Sequence, residues 1–373
     1  MHIETKAIHA GASPDPATGA ISPPIHLSTT FEHGPATEDL HGYIYVRDKN
    51  PTQDRLETAM AALEGGEDAL VFASGMAATV AVLQSLEPGA HVIFPKDLYV
   101  HARVAHQEFL PKWGLQVTVV DTRDLQAVQS ALQPNTKLVW VETPSNPRLD
   151  VTDISAVSSA AHQAGALVLV DNTFASPILQ RPIEHGADFV LHSTTKYCGG
   201  HSDTQGGCIV LKDRASLYKK LFHMRNVLGA VCSPFNSWLV LRGLRSLACR
   251  MERHSANGLA VANALEKSPR VERVFYPGLP SHPGHAVAAK QMSAYSGMLS
   301  VLVKGGWDDA VRLASRVRLF QNATSLGGVE SLIEHRASAE GPGSTSPANL
   351  LRLSVGLEHP DDLIADLLQA ADA

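Results

Sequence analysis

The sequence predicts an α/β protein in which a large, mostly parallel sheet domain precedes a smaller α+β domain at the C-terminus. Three observations predict it. Seven short runs, "ALVFAS", "HVIFP", "QVTVVD", "KLVWVET", "LVLVDN", "DFVLHS" and "GCIVLK", are apolar almost throughout, as strands are when both faces of a sheet are covered. Helical stretches such as "DLQAVQSAL" and "ISAVSSAAHQAG" lie between many of them, the alternation that builds βαβ units. Past about residue 235 the character changes to one long amphipathic stretch, two further strands and a closing helix.

Taken in order, residues 1–50 are irregular and polar, with "ASPDP", "SPP" and "HGPA" as turn signals. Such a segment is either disordered or an arm on a neighbouring subunit. From residue 51 the pattern is regular. "TQDRLETAMAALE" puts Leu56, Ala59, Met60 and Leu63 on one helical face, with Thr52 as the N-cap. Residues 51–235 then hold the seven strands and form the α/β domain. Residues 236–373 form the second domain: one long helix over "SWLVLRGLRSLACRMERHSANGLAVANALEKS", strands "GMLSVLV" and "LLRLSVGL", and the helix "PDDLIADLLQAAD".

Bulk composition narrows the function. A chain of 373 residues, 44% hydrophobic and 18% charged, supports two domains and a sizeable core. Its net charge of −6, without a basic run, argues against nucleic acid or an anionic membrane as partner. "MHIETKAIHAG" lacks the apolar centre of a signal peptide, and no apolar run reaches membrane-spanning length. The four cysteines, Cys198, Cys208, Cys232 and Cys249, are too scattered for a disulfide framework. Free thiols in a reducing cytoplasm are the expectation.

In an open parallel sheet, ligands bind beyond the carboxyl ends of the strands. Those ends read "SGMAA", "ETPSNP", "DNTF" and "HSTTKY". Gly75 opens a helix whose first N–H groups can face a phosphate. There is no G-x-x-x-x-G-K-[ST] and no G-x-G-x-x-G after a strand, which argues against nucleotides. Asp171 ends a very hydrophobic strand, where an unpaired carboxylate is costly; it is either a helix cap or the partner of a buried cationic nitrogen. Lys196 is a surface lysine, a phosphate clamp or a nucleophile. With Ser193 and Thr195 beside it, the set suits pyridoxal phosphate, whose aldehyde joins a lysine and whose ring nitrogen needs an acid. The pair His282 and His285 has ligand-like spacing but sits in a Pro/Gly turn without Cys or carboxylate company, so no metal is expected.

At these residues the chain resembles the transsulfuration (Cys/Met metabolism) enzymes, pyridoxal-phosphate-dependent transferases of the aspartate aminotransferase fold type I. The resemblance rests on "TKAIHAG", "YVRDKNPT", "SGMAA", "ETPSNP", "VDNTF", "HSTTKY" with "GGHSD", "SLGGVESLIEH" and "LRLSVGLEHP", in that order and over almost the whole length. It implies that Lys196 carries the cofactor and moves the substrate's protons, and that Asp171 pairs with the ring nitrogen. Gly75, Met76, Ser193 and Thr195 would hold the phosphate, joined by Tyr45 and Arg47 from an adjacent subunit. Tyr99 would stack on the ring and help deprotonate the incoming amine. Arg352, Ser325 and Asn146 would grip the substrate carboxylate. It also implies a homo-oligomer, a tetramer built from dimers, acting on a small amino-acid substrate.

Three departures bear on that substrate. Family members that make or split cystathionine through its γ-carbon often carry an acid before the phosphate-site tyrosine and another before "SLGG"; here these positions hold Ile44 and Thr324. The Gly-Gly-Thr common after the stacking tyrosine is replaced by Val100 and His101, the latter read as a packed loop histidine, with an extra acid–base group as the other reading. After "SLIEH" the frequent Pro-Ala-Ser-x-Thr-His becomes "RASAEGPGST", a segment expected to line the entrance. Leu326 stands where some β-lyases have tryptophan. The resemblance thus implies elimination or replacement at Cγ, or Cβ, of sulfur-containing or O-acylated L-amino acids, with a γ-lyase favoured. A cystathionine γ-synthase or O-acylhomoserine sulfhydrylase, a cystathionine β-lyase, and a catalytically retired binding protein are the alternatives.

Overall fold

The computed structural model describes residues 1–214 and 217–372. Seven strands, β1 (Asp68–Phe72), β2 (His91–Pro95), β3 (Gln116–Val120), β4 (Thr136–Glu142), β5 (Leu167–Asp171), β6 (Phe189–His192) and β7 (Gly207–Leu211), form one sheet in the order β1-β7-β6-β5-β4-β2-β3. Strands β2 to β6 run parallel, and β7 runs antiparallel to both β6 and β1. All strands except β7 therefore end on the same edge, the edge where this topology places ligands. Side chains alternate between faces with the two-residue strand period. Leu138 and Trp140 join a core with Phe72, Phe94 and Leu169, while Val139 and Val141 pack on the other face with Val168, Val170 and Ile154. Helices cover both faces of the central strands, which are accordingly apolar, whereas the edge strand β3 is only partly covered and leaves Val119 exposed.

A second sheet, β10-β11-β12-β9-β8, is built from β8 (Val271–Phe275), β9 (Met298–Val303), β10 (Gln321–Asn322), β11 (Leu332–His335) and β12 (Leu350–Ser354). The stretch expected as one long helix is two, Pro234–Leu244 and Leu247–Glu266. The break is held by the segment's own residues and by one contact beyond it: the Gly243 carbonyl accepts from Ser246 N–H at 3.2 Å and from the buried Arg250 at 2.7 Å, and Arg250 also donates to Tyr197 O at 2.8 Å. Val240, Leu244 and Met251 belong to the core with Leu56 and Met60, whereas Val261, Ala262 and Leu265 belong to the core of the small sheet. The second helix thus bridges the two units, and the boundary at 235/236 stays a proposal placed ahead of this shared element.

The N-terminal segment also differs from expectation. It opens with a helix, Ile3–His9, whose Ala7 is buried. Its first half is tied to its own chain: Arg55 donates to Gly11 O and Ser13 O, Trp238 to Pro23 O, and Asn50 to His26 O. The helix Pro51–Glu64 buries Leu56, Ala59, Met60 and Leu63 as expected, but its cap is Asn50, which accepts from Thr52 N–H at 2.9 Å. Proline at the first helical position explains the shift, since Pro51 has no N–H to satisfy there. Among the described residues, no helix is long and apolar enough to cross a membrane.

Candidate active site

A cavity of about 470 Å³ opens at the shared strand edge, against β11 and β12 of the small sheet. Ten of the expected residues line it: Gly75, Met76, Tyr99, Asn146, Asp171, Ser193, Thr195, Lys196, Ser325 and Arg352. Tyr45 and Arg47 lie outside the lining; Tyr45 is exposed, with the Arg47 guanidinium 5.4 Å from its ring centre.

Lys196 sits in a tight turn after β6, its N–H bonded to Ser193 O at 3.1 Å and its carbonyl to Gly200 N–H at 2.8 Å. Its Nζ donates to Ser325 Oγ at 2.6 Å. Burial pushes the ammonium pKa down to about 8; the Arg352 charge adds to this, and Glu334 opposes it. Ser325 is held at φ 107°, a backbone that costs a non-glycine residue on the order of 1–3 kcal/mol. From that position its hydroxyl meets Lys196 while its carbonyl meets Arg352 Nη2 at 3.2 Å. Two residues on, Gly327 has φ +75°, and a Cβ there would fall 2.7 Å from Tyr197 N. The "SLGG" turn therefore closes directly on the lysine's own turn.

Asp171 ends β5 opposite Glu142 of β4. Burial raises the pKa of both carboxyls. For Asp171, hydrogen bonding from Thr173 and the His192 charge oppose the shift; for Glu142, the neighbouring Asp171 charge adds to it. Glu142 Oε2 accepts from Tyr99 N–H and its Oε1 from Asn146 N–H, each at 2.9 Å. It therefore positions two expected site residues without having been singled out, although it begins "ETPSNP". Asp171 Oδ1 accepts the backbone N–H of Thr173 at 3.0 Å, and no cationic side chain is bonded to the carboxyl among the described residues.

The helix Gly75–Gln84 starts at the cavity, with Ser74 Oγ accepting from Ala77 N–H at 3.0 Å. First-turn N–H groups have no partner inside their helix. A Cβ on Gly75 would stand 3.0 Å from Ser193 Cβ, so glycine is what lets this helix start close on the Ser193 turn. The Thr195 hydroxyl is fixed by Gly206, donating to its O at 3.2 Å and accepting from its N–H at 3.1 Å.

Arg352 of β12 lies opposite Glu334 of β11 in the register. It donates to Asn146 Oδ1 at 3.0 Å and pairs with Glu334 at 2.8 Å. Burial pushes its pKa down to about 10, with Arg336 adding to the shift and Glu334 opposing it. Glu334 and Arg336 both line the cavity and were not among the residues read from the sequence; the only signal was their place in "SLIEHRAS". His101 corrects an expectation. It is exposed, lines the cavity, and its Nδ1 lies 2.8 Å from the Tyr99 hydroxyl, so it is not a packed loop residue. Thr324, Leu326, Arg336 and Ala339 line the cavity, whereas Ile44 does not. His282 and His285 lie elsewhere, with backbone partners Gly284 N–H and Pro277 O.

These residues fit pyridoxal phosphate. A buried amine whose pKa is lowered to about 8, a buried acid without a cation and a glycine-tightened helix start meet in one cavity, matching an aldehyde, a ring nitrogen and a phosphate. A family profile described as "Cys/Met metabolism PLP-dependent enzyme" matches residues 4–372. The chain is 49% identical over 372 residues to the cystathionine gamma-synthase of Mycobacterium bovis, covering 98% of this chain and 96% of that one. It is 45% identical over 376 residues to the cystathionine beta-lyase of Coxiella burnetii, covering 98% and 97%. The crystal structure of cystathionine gamma-lyase from Lactobacillus plantarum complexed with L-serine superposes with a TM-score of 0.94 at 38% identity, covering 99% and 98%. The chain belongs to the Cys/Met metabolism family of pyridoxal-phosphate-dependent enzymes and is a transsulfuration enzyme.

Proposed function

We propose that the enzyme breaks the bond from Cγ to a sulfur or acyl-oxygen leaving group in an L-amino acid, with elimination as its main outcome. The observation that carries this is the Lys196 amine: buried, with its pKa lowered to about 8, and bonded to Ser325 in the cavity that Asp171 and Arg352 also line. Chemistry at Cγ needs one base that removes protons from Cα and then Cβ, and a mobile lysine amine can serve both. Bound pyridoxal phosphate supplies an aldehyde that links to an amine and an electron-withdrawing ring. Asp171 keeps a proton on the ring nitrogen. The first turn of Gly75–Gln84, with Met76, Ser193 and Thr195, binds the phosphate. Tyr99 takes a proton from the incoming ammonium group, and Arg352, Ser325 and Asn146 orient the α-carboxylate.

Elimination is supported by the uncharged Thr324 in the lining and by Ile44, which leave no acid at the two places where the family often binds a second amino-acid end. Leu326, in place of tryptophan, supports Cγ over Cβ. Replacement by a thiol is the second reading, favoured by the identity to the M. bovis synthase. Mass spectrometry of products from L-cystathionine, and from O-succinyl-L-homoserine with and without L-cysteine, separates them. Release of 2-oxobutyrate is expected. Pyruvate from cystathionine makes the enzyme a β-lyase, and cystathionine formation without oxo acid makes it a synthase.

The working unit in this reading is a homo-oligomer, a tetramer built from two dimers in the cytoplasm, in which Tyr45 and Arg47 reach the phosphate of a neighbouring chain. Its support is the exposure of Leu27, Leu40 and Tyr45, apolar groups left uncovered along the second half of the arm. Just after them Asp48 is anchored, its carbonyl accepting from buried Arg225 at 3.0 Å. A guanidinium matches phosphate with paired donors. Arg47→Ala should therefore release the cofactor at least about tenfold more readily, since charge-assisted bonds contribute about 1.5–3 kcal/mol. Cofactor retention after gel filtration at low and high salt checks this, and unchanged retention would remove the shared site.

A further inference from the structure

Along the wall holding Arg352, charged side chains alternate. Arg352 pairs with Glu334 at 2.8 Å, Glu334 with Arg336, Arg336 with Glu340 at 3.1 Å, and Glu340 with Arg103 at 3.5 Å. Except for Arg103, these side chains are almost fully buried. Three guanidinium groups and two carboxylates leave one positive charge in the row. Ser344 and Ser346 also donate to Glu340, at 2.8 and 2.9 Å, so the outer end is well satisfied. The inner end is not: Glu334 Oε1 and Arg336 Nε are buried with no hydrogen-bond partner among the described residues.

Arg352 cannot serve a substrate carboxylate and Glu334 equally, because both are anions competing for one fork. We propose that Arg336 is a positioning residue for substrate recognition: by sharing Glu334 it frees the Arg352 guanidinium for the incoming α-carboxylate. This rests on the reading of Arg352 as the carboxylate grip. The substrate's charge then balances the single surplus cation in the row. Without Arg336, Glu334 is left to Arg352 alone, and a carboxylate entering the site meets a buried like charge.

The test is titration of the holoenzyme with L-2-aminobutyrate, which has no leaving group, and with n-propylamine, which has no carboxylate, following the cofactor's absorbance. Arg336→Met should weaken aminobutyrate binding about tenfold or more and leave propylamine within about twofold, as charged neighbours in one network are coupled. Glu334→Gln should bind aminobutyrate at least as tightly as the wild type. The double variant should return to within about threefold of it, because the competitor is gone. A double variant as weak as Arg336→Met overturns the proposal, as does equal weakening of propylamine. If Arg336→Met does not fold, Glu334→Gln decides alone, and weaker aminobutyrate binding in it overturns the proposal. Arg352→Met separates the underlying reading: unchanged aminobutyrate binding there refutes the carboxylate grip itself, whereas a large loss there without rescue in the double variant refutes only the role of Arg336.

Discussion

Lys196→Ala is expected to lower turnover by at least about 10²–10⁴-fold, the range for removal of a positioned acid–base group, and to abolish the visible absorption of lysine-linked cofactor. Lys196 is the one lysine in the cavity lining among the described residues, and its hydrogen bond to Ser325 at 2.6 Å fixes where its amine starts. The pH dependence follows from burial. A lysine pKa lowered from 10.5 to about 8 loses its proton as pH rises through about 8. Capture of pyridoxal phosphate by the cofactor-free protein should accelerate up to that pH and flatten above it. Acceleration that continues to pH 10 would mean an ordinary, solvated lysine. Turnover or the absorption surviving in Lys196→Ala would place the nucleophile elsewhere.

The parts legible in the sequence were those fixed by short-range chemistry. Apolar strands announce a covered sheet, and the sheet's direction places "SGMAA", "DNTF" and "HSTTKY" at one edge. Glu142 and Glu334 were not legible because their importance lies in partners far along the chain, Tyr99 at 43 residues' separation and Arg352 across a strand register. The helix break at residues 245–246 depends on Arg250 reaching back to Gly243 and across to Tyr197, which no local pattern states. His101 was misread for a similar reason. The helix Val100–Glu108 starts directly after Tyr99 and brings the His101 ring to the tyrosine hydroxyl. The Asn50 cap, by contrast, was readable, since proline at position 51 is the usual first helical residue.

Asp171→Asn is expected to lower kcat by about 10²–10³-fold, the cost of removing one preorganised charge from a dry site, while Lys196 still holds the cofactor. Asparagine keeps the size and can meet one N–H, but it has no charge with which to keep a ring nitrogen protonated. Stability should move the other way. In the cofactor-free protein Asp171 faces Glu142 with no cation bonded to it, and burial raises its pKa above 3.8. The folded state then binds more protons than the unfolded chain above that value, so this carboxyl's contribution to stability falls as pH rises through the window up to its raised pKa. Above that window keeping this carboxyl in the dry site, whether by holding its charge or by neutralising it, opposes folding, and a neutral asparagine removes that opposition. The cofactor-free Asp171→Asn protein should thus melt a few degrees higher than the wild type at pH 7, with the gap closing toward pH 4. Bound cofactor supplies the missing cation, so in the holoenzyme the order should reverse. A variant that keeps kcat within about threefold, or one less stable than the wild type without cofactor, would mean that Asp171 is a structural cap and that the ring nitrogen has another partner.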